Sequence, residues 1–211
     1  MNVTLRDALP DPMTEAPPEA SDIWRKDLTL AAGERYLVFG ESGCGKSTLI
    51  HMLCGMRRDY QGTVLIGDRD ARTLEAMDWA SLRAQCLGLV FQDLRLFLDL
   101  TARENISLLP VQEPERPDVD EMAEALGMTA FMDKPCGQLS HGQRQRIAIM
   151  RVLCRPFELL LLDEPFSHLD DSNVQAMTAL IEKEIERRGA GLILASLMES
   201  SPFRDLSPLR L

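Results

Sequence analysis

The stretch Gly40-Glu41-Ser42-Gly43-Cys44-Gly45-Lys46-Ser47-Thr48 constrains this chain of 211 residues more than any other. It has the form G-x-x-x-x-G-K-S, the Walker A pattern of a phosphate-binding loop. The apolar run Tyr36-Leu37-Val38-Phe39 before it predicts a strand. Ser47 to Met56 after it predicts a helix, with Leu49, Ile50, Leu53 and Met56 at helical spacing. Strand, glycine loop and helix form the context that the motif requires. Gly40, Gly43 and Gly45 let the backbone curl around an anion without Cβ clashes. The loop N–H groups and the helix N-terminus then point at phosphates. Lys46 can reach the β- and γ-phosphates, and Ser47 can hold Mg²⁺.

The rest of the chain alternates strand and helix signals, which predicts an α/β fold with a mostly parallel sheet covered on both faces. Val3 to Leu5 predicts the start of an edge strand. Pro10 to Ser21 reads as an exposed, acidic, proline-rich loop. Ile23-Trp24 and Leu28 to Leu30 resume an apolar pattern, and Thr63 to Ile66 and Leu87 to Phe91 read as strands. From Asp93 to Ser140 strand signals stop. Helices are expected near Thr101–Leu109, Val119–Leu126 and Met128–Met132, with a proline-rich connector from Pro110 to Pro117. Residues 93–140 therefore read as a helical lobe inserted into a single domain spanning 1–211. The α/β pattern returns with a helix from His141 to Cys154, a strand Leu159–Leu162, a long helix from Asp171 to Arg188 and a strand Leu192–Ala195.

Two further constellations carry chemistry. The strand Leu159–Leu162 ends in Asp163-Glu164-Pro165, and ligands of open α/β sheets sit beyond the carboxyl ends of strands. Asp163 is placed to hold Mg²⁺, and Glu164 to polarise an attacking water. In Leu139-Ser140-His141-Gly142-Gln143, Ser140 and Gln143 make a capping box. That accounts for a helix start but not for Gly142 in the first turn, where glycine costs about 1 kcal/mol relative to alanine. A glycine there suits the close approach of an anion to the helix N-terminus.

These motifs, in this order, resemble the ATP-binding subunits of ABC transporters. Gly40 to Thr48 is the phosphate loop, and Val90-Phe91-Gln92 resembles the Q-loop. Leu139 to Gln143 resembles the LSGGQ signature, Leu159 to Pro165 the Walker B strand with its glutamate, and Ser167-His168-Leu169-Asp170 the D-loop. Trp79 to Phe91, with Leu82-Arg83, resembles the lipoprotein-releasing and macrolide-exporter group. The resemblance implies a P-loop NTPase fold with an N-terminal antiparallel β part. It also implies ATP and Mg²⁺ as cofactors and a head-to-tail dimer with two ATPs sandwiched between copies. Lys46, Ser47, Gln92, Asp163 and Glu164 would act on one ATP, and Ser140, Gly142 and Gln143 would cap the γ-phosphate of the ATP held by the other copy. Gln92 would join Ser47 and Asp163 around the metal and report the γ-phosphate to the helical lobe.

The chain departs from the family at three places. Leu197 stands where a histidine is usual after the last core strand, and a leucine cannot donate to a phosphoryl group. Losing one such donor costs on the order of 10²–10³ in rate. His141 replaces a glycine of the signature. The region before the phosphate loop, Pro10 to Ala20, has no aromatic to stack on adenine, and Trp24 lies nearer the loop than the usual position.

A formal net charge of -10 argues against a general nucleic-acid partner. No apolar run approaches the roughly 20 residues needed to span a bilayer, so a membrane role requires integral permease subunits as partners. The expected location is cytoplasmic, at the inner face of the membrane through those partners. The five cysteines form no metal-binding or C-x-x-C pattern and read as free thiols. Leu94, Leu96, Phe97, Leu98 and Leu100 read either as lobe packing or as a groove for a short helix of a membrane partner. Arg144 and Arg146 on the signature helix read as solvated or paired charges, with a role at the nucleotide as the alternative. Two functions fit: an ATPase driving a membrane transporter or extractor, and an ATP-gated regulatory cassette that hydrolyses slowly or not at all. Glu164 and Gln92 favour the first and Leu197 the second.

Overall fold

The computed structural model describes residues 1–15, 20–108, 117–167 and 169–211. Most of the Pro110–Pro117 connector, part of the Pro10–Ser21 loop and His168 of the D-loop lie outside the described residues.

Two sheets organise the chain. The first pairs β2 (Asp27–Leu30), β1 (Val3–Pro10), β4 (Tyr60–Ile66) and β5 (Arg69–Asp70) in that order, all antiparallel. The second is wholly parallel, in the order β6 (Leu87–Val90), β7 (Leu159–Asp163), β8 (Gly191–Ser196), β3 (Arg35–Phe39), β9 (Ser207–Arg210). The helices are α1 (Lys46–Leu53), α2 (Ala76–Gln85), α3 (Ala102–Ser107), α4 (Val119–Ala125), α5 (His141–Leu153) and α6 (Asp171–Arg188).

The leucine run of β7 shows why the parallel sheet is buried. Leu160 and Leu162 point into a core shared with α5 and α6, while Leu159 and Leu161 point into the core beneath α1 and the antiparallel sheet. Strand side chains alternate between faces, so a strand covered on both sides must be apolar at every position. β8 divides in the same way, with Leu192 and Leu194 on one side and Ile193 and Ala195 on the other. Both tryptophans lie in the second core. Trp24 abuts Gly45 at the start of α1, and the Trp79 ring packs on Gly55 just past its end.

Several expectations are corrected. β1 is not an edge strand: it runs to Pro10 between β2 and β4, with Val3 and Leu5 fully buried. The reading stopped early because Arg6 and Asp7 interrupt the apolar pattern where the register with β4 shifts. α2 went unread because Trp79 is its one buried residue, too little to make a stripe. β9 went unread because Pro208 argues against a strand; as a sheet edge it tolerates proline. Met128–Met132 forms a single 3₁₀ turn, Thr129–Phe131. The phosphate helix ends at Leu53 rather than Met56, because the chain turns at Gly55 with φ of +75°. Between residues 93 and 140 the described residues hold no strand, only α3, α4, two 3₁₀ turns and an isolated bridge from Thr101 to Pro135.

Two features of this framework are open to direct test. Gly62 has φ of +76°, and a Cβ there would fall 2.2 Å from the Asp7 carbonyl oxygen at the β1 irregularity. Gly62→Ala is expected to destabilise the chain by about 2–4 kcal/mol, measured by urea unfolding, since both a left-handed residue and an overpacked backbone must be accommodated. Asp170 caps α6 by accepting from the Asn173 N–H, the Ser172 hydroxyl and the Asn173 amide. These donors hold its carboxyl at about 2, below the usual 3.8. A depressed carboxylate lends stability that is complete above the unfolded value and is lost as pH falls through the folded one. Asp170→Ala is therefore expected to unfold earlier than the parent at pH 7. The gap should narrow below about pH 4 and close near pH 2.

Candidate nucleotide site

The carboxyl ends of β3, β6 and β7 converge on one place, and the loops leaving them carry the predicted residues. Gly43 and Gly45 adopt φ of +84° and +105°. These left-handed positions turn the loop back toward the first turn of α1. Gly45 is the N-cap of α1 and supplies no side-chain cap, so the N–H groups of that turn stay directed outward. Lys46 is only 4% exposed, and its Nζ donates to the carbonyls of Gly40 and Glu41, each at 2.9 Å. It also faces Glu164 Oε1 at 3.7 Å. Glu41, Ser42, Cys44 and Thr48 complete the loop and the helix start, with the Cys44 N–H donating to the Glu41 carbonyl at 3.3 Å. A Cβ on Gly40 would meet Cys44 Sγ at 2.7 Å and the Leu211 carbonyl at 2.8 Å, so the loop closes against the end of β9.

Asp163 ends β7 and is 2% exposed. One of its carboxylate oxygens, Oδ1, is buried without a hydrogen-bond partner among the described residues. Burial pushes its carboxyl above the usual carboxylate range, opposed by the Ser47 hydroxyl that donates to it and by His51 and Lys46 nearby. Ser47, Gln92 and Asp163 line one recess of about 280 Å³. A hydroxyl, an amide oxygen and an unpaired carboxylate oxygen form a donor set suited to a hard cation such as Mg²⁺. Glu164 follows with φ of +48°, which costs a residue with a Cβ roughly 1–2 kcal/mol. Its N–H donates to the Ala195 carbonyl at 3.0 Å, which ties it to β8.

The signature sits at the tip of α5, and none of its residues lines the recess of Ser47, Gln92 and Asp163. Ser140 Oγ accepts from the Gln143 N–H at 3.2 Å, and Gln143 Oε1 accepts from the Ser140 N–H at 2.9 Å, which completes the capping box. His141 and Gly142 occupy the first turn. Arg146 donates to the Leu126 carbonyl and to Asn173 Oδ1, so it fastens α4 and α6 to the helix. Leu197, just past β8, is 53% exposed and lines a cleft of about 940 Å³ with Gly40, Glu41 and Cys44. Trp24 is buried, which removes it as a stacking platform open to solvent. The leucine cluster divides: Leu94 is buried, whereas Phe97 and Leu98 are 59% and 49% exposed.

Sequence reading passed over Gln145 and the carbonyl grip of Arg151. Gln145 is 2% exposed and donates to Ser167 Oγ. Its signal was available, since it lies one turn before Ile149 on the apolar stripe of α5. Arg151 donates to the carbonyls of Leu94 and Arg95, two consecutive residues at positive φ. No sequence pattern announces such a backbone.

The family model described as ABC transporter matches residues 25–167. The thiamine import ATP-binding protein ThiQ of Histophilus somni is 34% identical over 175 residues, 81% of this chain and 79% of that protein. ThiQ of Salmonella choleraesuis is 35% identical over 177 residues, 82% and 73%. These relatives bear an import name, whereas the sequence around Trp79 resembles an exporter and extractor group; the family is common to both. Among solved structures, the dimeric MJ0796, a bacterial ABC transporter cassette, superposes with a TM-score of 0.81 over 99% of this chain and 94% of that one, at 24% identity. A dimeric post-hydrolysis state of the MJ0796 cassette bound to ADP and Pi gives 0.72 over 92% and 87%, at 27% identity. With the phosphate loop, Walker B end and signature helix in place and the family model spanning 25–167, the chain belongs to the ABC transporter family as an ATP-binding, ATP-hydrolysing cassette subunit.

Proposed function

We propose that two copies of this chain close head to tail on two ATP molecules, and that closure and hydrolysis drive integral membrane permease subunits. The observation that carries the reading is the division of labour in the site. One cluster holds a buried lysine, a buried aspartate with an unpaired oxygen and a glutamate, while a separate helix tip presents Ser140, Gly142 and Gln143.

In this reading the N–H groups of Gly43 to Thr48 cradle the phosphates. Lys46 exchanges its two loop carbonyls for β- and γ-phosphate oxygens. Asp163, Ser47 and Gln92 hold Mg²⁺, which when bound neutralises phosphate charge. Glu164 orients and polarises the attacking water. Ser140, Gly142 and Gln143 of one copy face the γ-phosphate bound by the other, the helix N-terminus favouring the anion. Residues 93–140 act as a lobe that follows Gln92.

A groove of about 580 Å³, lined by Arg83, Leu87, Phe97, Ile106, Leu108 and Arg155, supports docking of a short helix from the permease. No helix among the described residues is long and apolar enough to cross a membrane. The chain would then work at the inner membrane face through its partner.

A second reading, an ATP-gated regulatory cassette with slow turnover, is favoured by Leu197, which is exposed beside the phosphate loop and offers no hydrogen bond.

Glu164→Gln is expected to keep ATP binding and abolish most phosphate release, accumulating an ATP-bound dimer by size-exclusion chromatography. Phosphate release equal to the parent's would remove Glu164 from the water-polarising role. Leu197→His is expected to raise turnover of the complex with its permease by about tenfold or more, toward the contribution of one positioned donor. An unchanged or lower rate would show that another group fills that place.

A further inference from the structure

The groove between α2, α3 and the far end of α5 carries a charge that the chain as a whole does not. The chain has 33 Asp and Glu against 23 Lys and Arg. The charged residues lining the groove are nevertheless all arginines: Arg83, Arg95, Arg151 and Arg155. Elsewhere Arg25, Arg35, Arg57, Arg69 and Arg103 each meet a carboxylate. In the groove only Arg95 does, on Asp93 at 3.3 Å. Arg83 donates to the Cys54 carbonyl at 3.0 Å, Arg155 to the Arg83 carbonyl at 3.2 Å, and Arg151 to the carbonyls of Leu94 and Arg95. None of these three has a carboxylate partner among the described residues. A guanidinium has five N–H donors, so most of those on Arg83 and Arg155 are left for water or a ligand. Burial pushes Arg155 below the usual arginine range, and burial together with the charge of Arg155 does the same to Arg151. Like charges therefore share a half-buried place with no counter-ion.

The walls between the arginines are apolar. Ala80 and Ala84 stand one turn apart on α2 and keep that wall low. Phe97 and Leu108 are 59% and 39% exposed. Walls built from three helices accept a further helix, ridge into groove. Arg151 and Arg155 lie at and just past the end of α5 remote from Ser140, so the groove stays open when two copies close on their α5 tips. The net charge of -10 opposes an anionic lipid surface as the occupant.

We propose that the groove selects a short amphipathic helix of the permease by its carboxylates. Asp or Glu side chains on that helix pair with Arg83 and Arg155, and apolar side chains on the same face cover Phe97 and Leu108. The inference deepens the docking reading above and rests on it. The planar fork of a guanidinium matches a carboxylate through two parallel hydrogen bonds. A lysine at the same place on the incoming helix would meet uncompensated positive charge, so the arginines that hold the right partner also reject a wrong one.

The test uses the complex of this chain with its permease. Arg83→Lys and Arg155→Lys keep the charge and bring an amine. A water-soluble carbodiimide joins such an amine to a carboxylate in contact with it as an amide, taking up the water as its urea. Each variant is expected to link to an Asp or Glu in a short segment of the permease, at least about fivefold above the parent, with the linked residue read by mass spectrometry. Arg83→Glu combined with Arg155→Glu is expected to weaken affinity for the permease about a hundredfold or more. Arginine placed at the linked carboxylate is expected to restore most of that loss. Thermal denaturation checks folding, and if the charge-reversed variant does not fold, the lysine variants decide alone. No link above the parent would overturn the proposal, as would a link to a second copy of this chain or a folded charge-reversed variant that binds the permease as the parent does. Binding of the parent to phosphatidylglycerol vesicles that the charge-reversed variant loses would also overturn it, in favour of a lipid occupant. A parent that hydrolyses ATP but assembles with no permease brings down the docking part of the proposed function and this proposal with it. An assembled complex in which both lysine variants stay unlinked brings down this proposal only.

Discussion

Everything at the nucleotide site depends on a carboxylate held where water barely reaches. Asp163 is 2% exposed, ends a strand whose other four residues are buried leucines, and has one oxygen without a hydrogen-bond partner among the described residues. An uncompensated charge in such a place opposes folding. The arrangement is sustained because β7 is clamped between β6 and β8 and because Ser47 and Lys46 approach the carboxylate from the phosphate helix. The interior thus favours positive charge beside Asp163, and in the proposed reading a divalent cation would supply it. Lys46 shows the complementary condition, a buried ammonium parked on two loop carbonyls that an anion can replace.

The same strand explains how chemistry and scaffold share residues. Leu159 to Leu162 feed both cores alternately and fix the height of the strand end within the sheet. Glu164 then leaves with an unfavourable φ, held by Ala195 on one side and Ser167 on the other. Strain of this kind persists where surrounding contacts over-determine it. Here those contacts come from a neighbouring strand and from the start of the D-loop.

The legible parts of the fold were those with a strong local period or a strict motif. The phosphate loop, β7, the capping box at Ser140 and all of α6 from Asp171 to Arg188 fall where patterns of glycine, leucine and polar caps put them. What escaped depends on tertiary context. α2 buries one residue, and β9 carries a proline that only an edge position accommodates. β1 passes through charged residues at an irregular register, which hides its length and its central place. At the site, the candidates on strand ends and loop were readable one by one. The union of Ser47, Gln92 and Asp163 around one recess required the sheet order, since β6 and β3 are far apart in the chain and separated in the sheet by β7 and β8.

The chain has two tryptophans, and they bracket α1. The Trp24 indole nitrogen lies 3.3 Å from where a Gly45 Cβ would sit, at the phosphate end, and the Trp79 ring presses on Gly55 at the other. Both are buried, and both indole nitrogens lack a hydrogen-bond partner among the described residues. The helix that follows the phosphate loop is thus flanked by the chain's only indole fluorophores. Their emission is an intrinsic optical gauge of that one element, with no dye attached and no other indole signal to subtract.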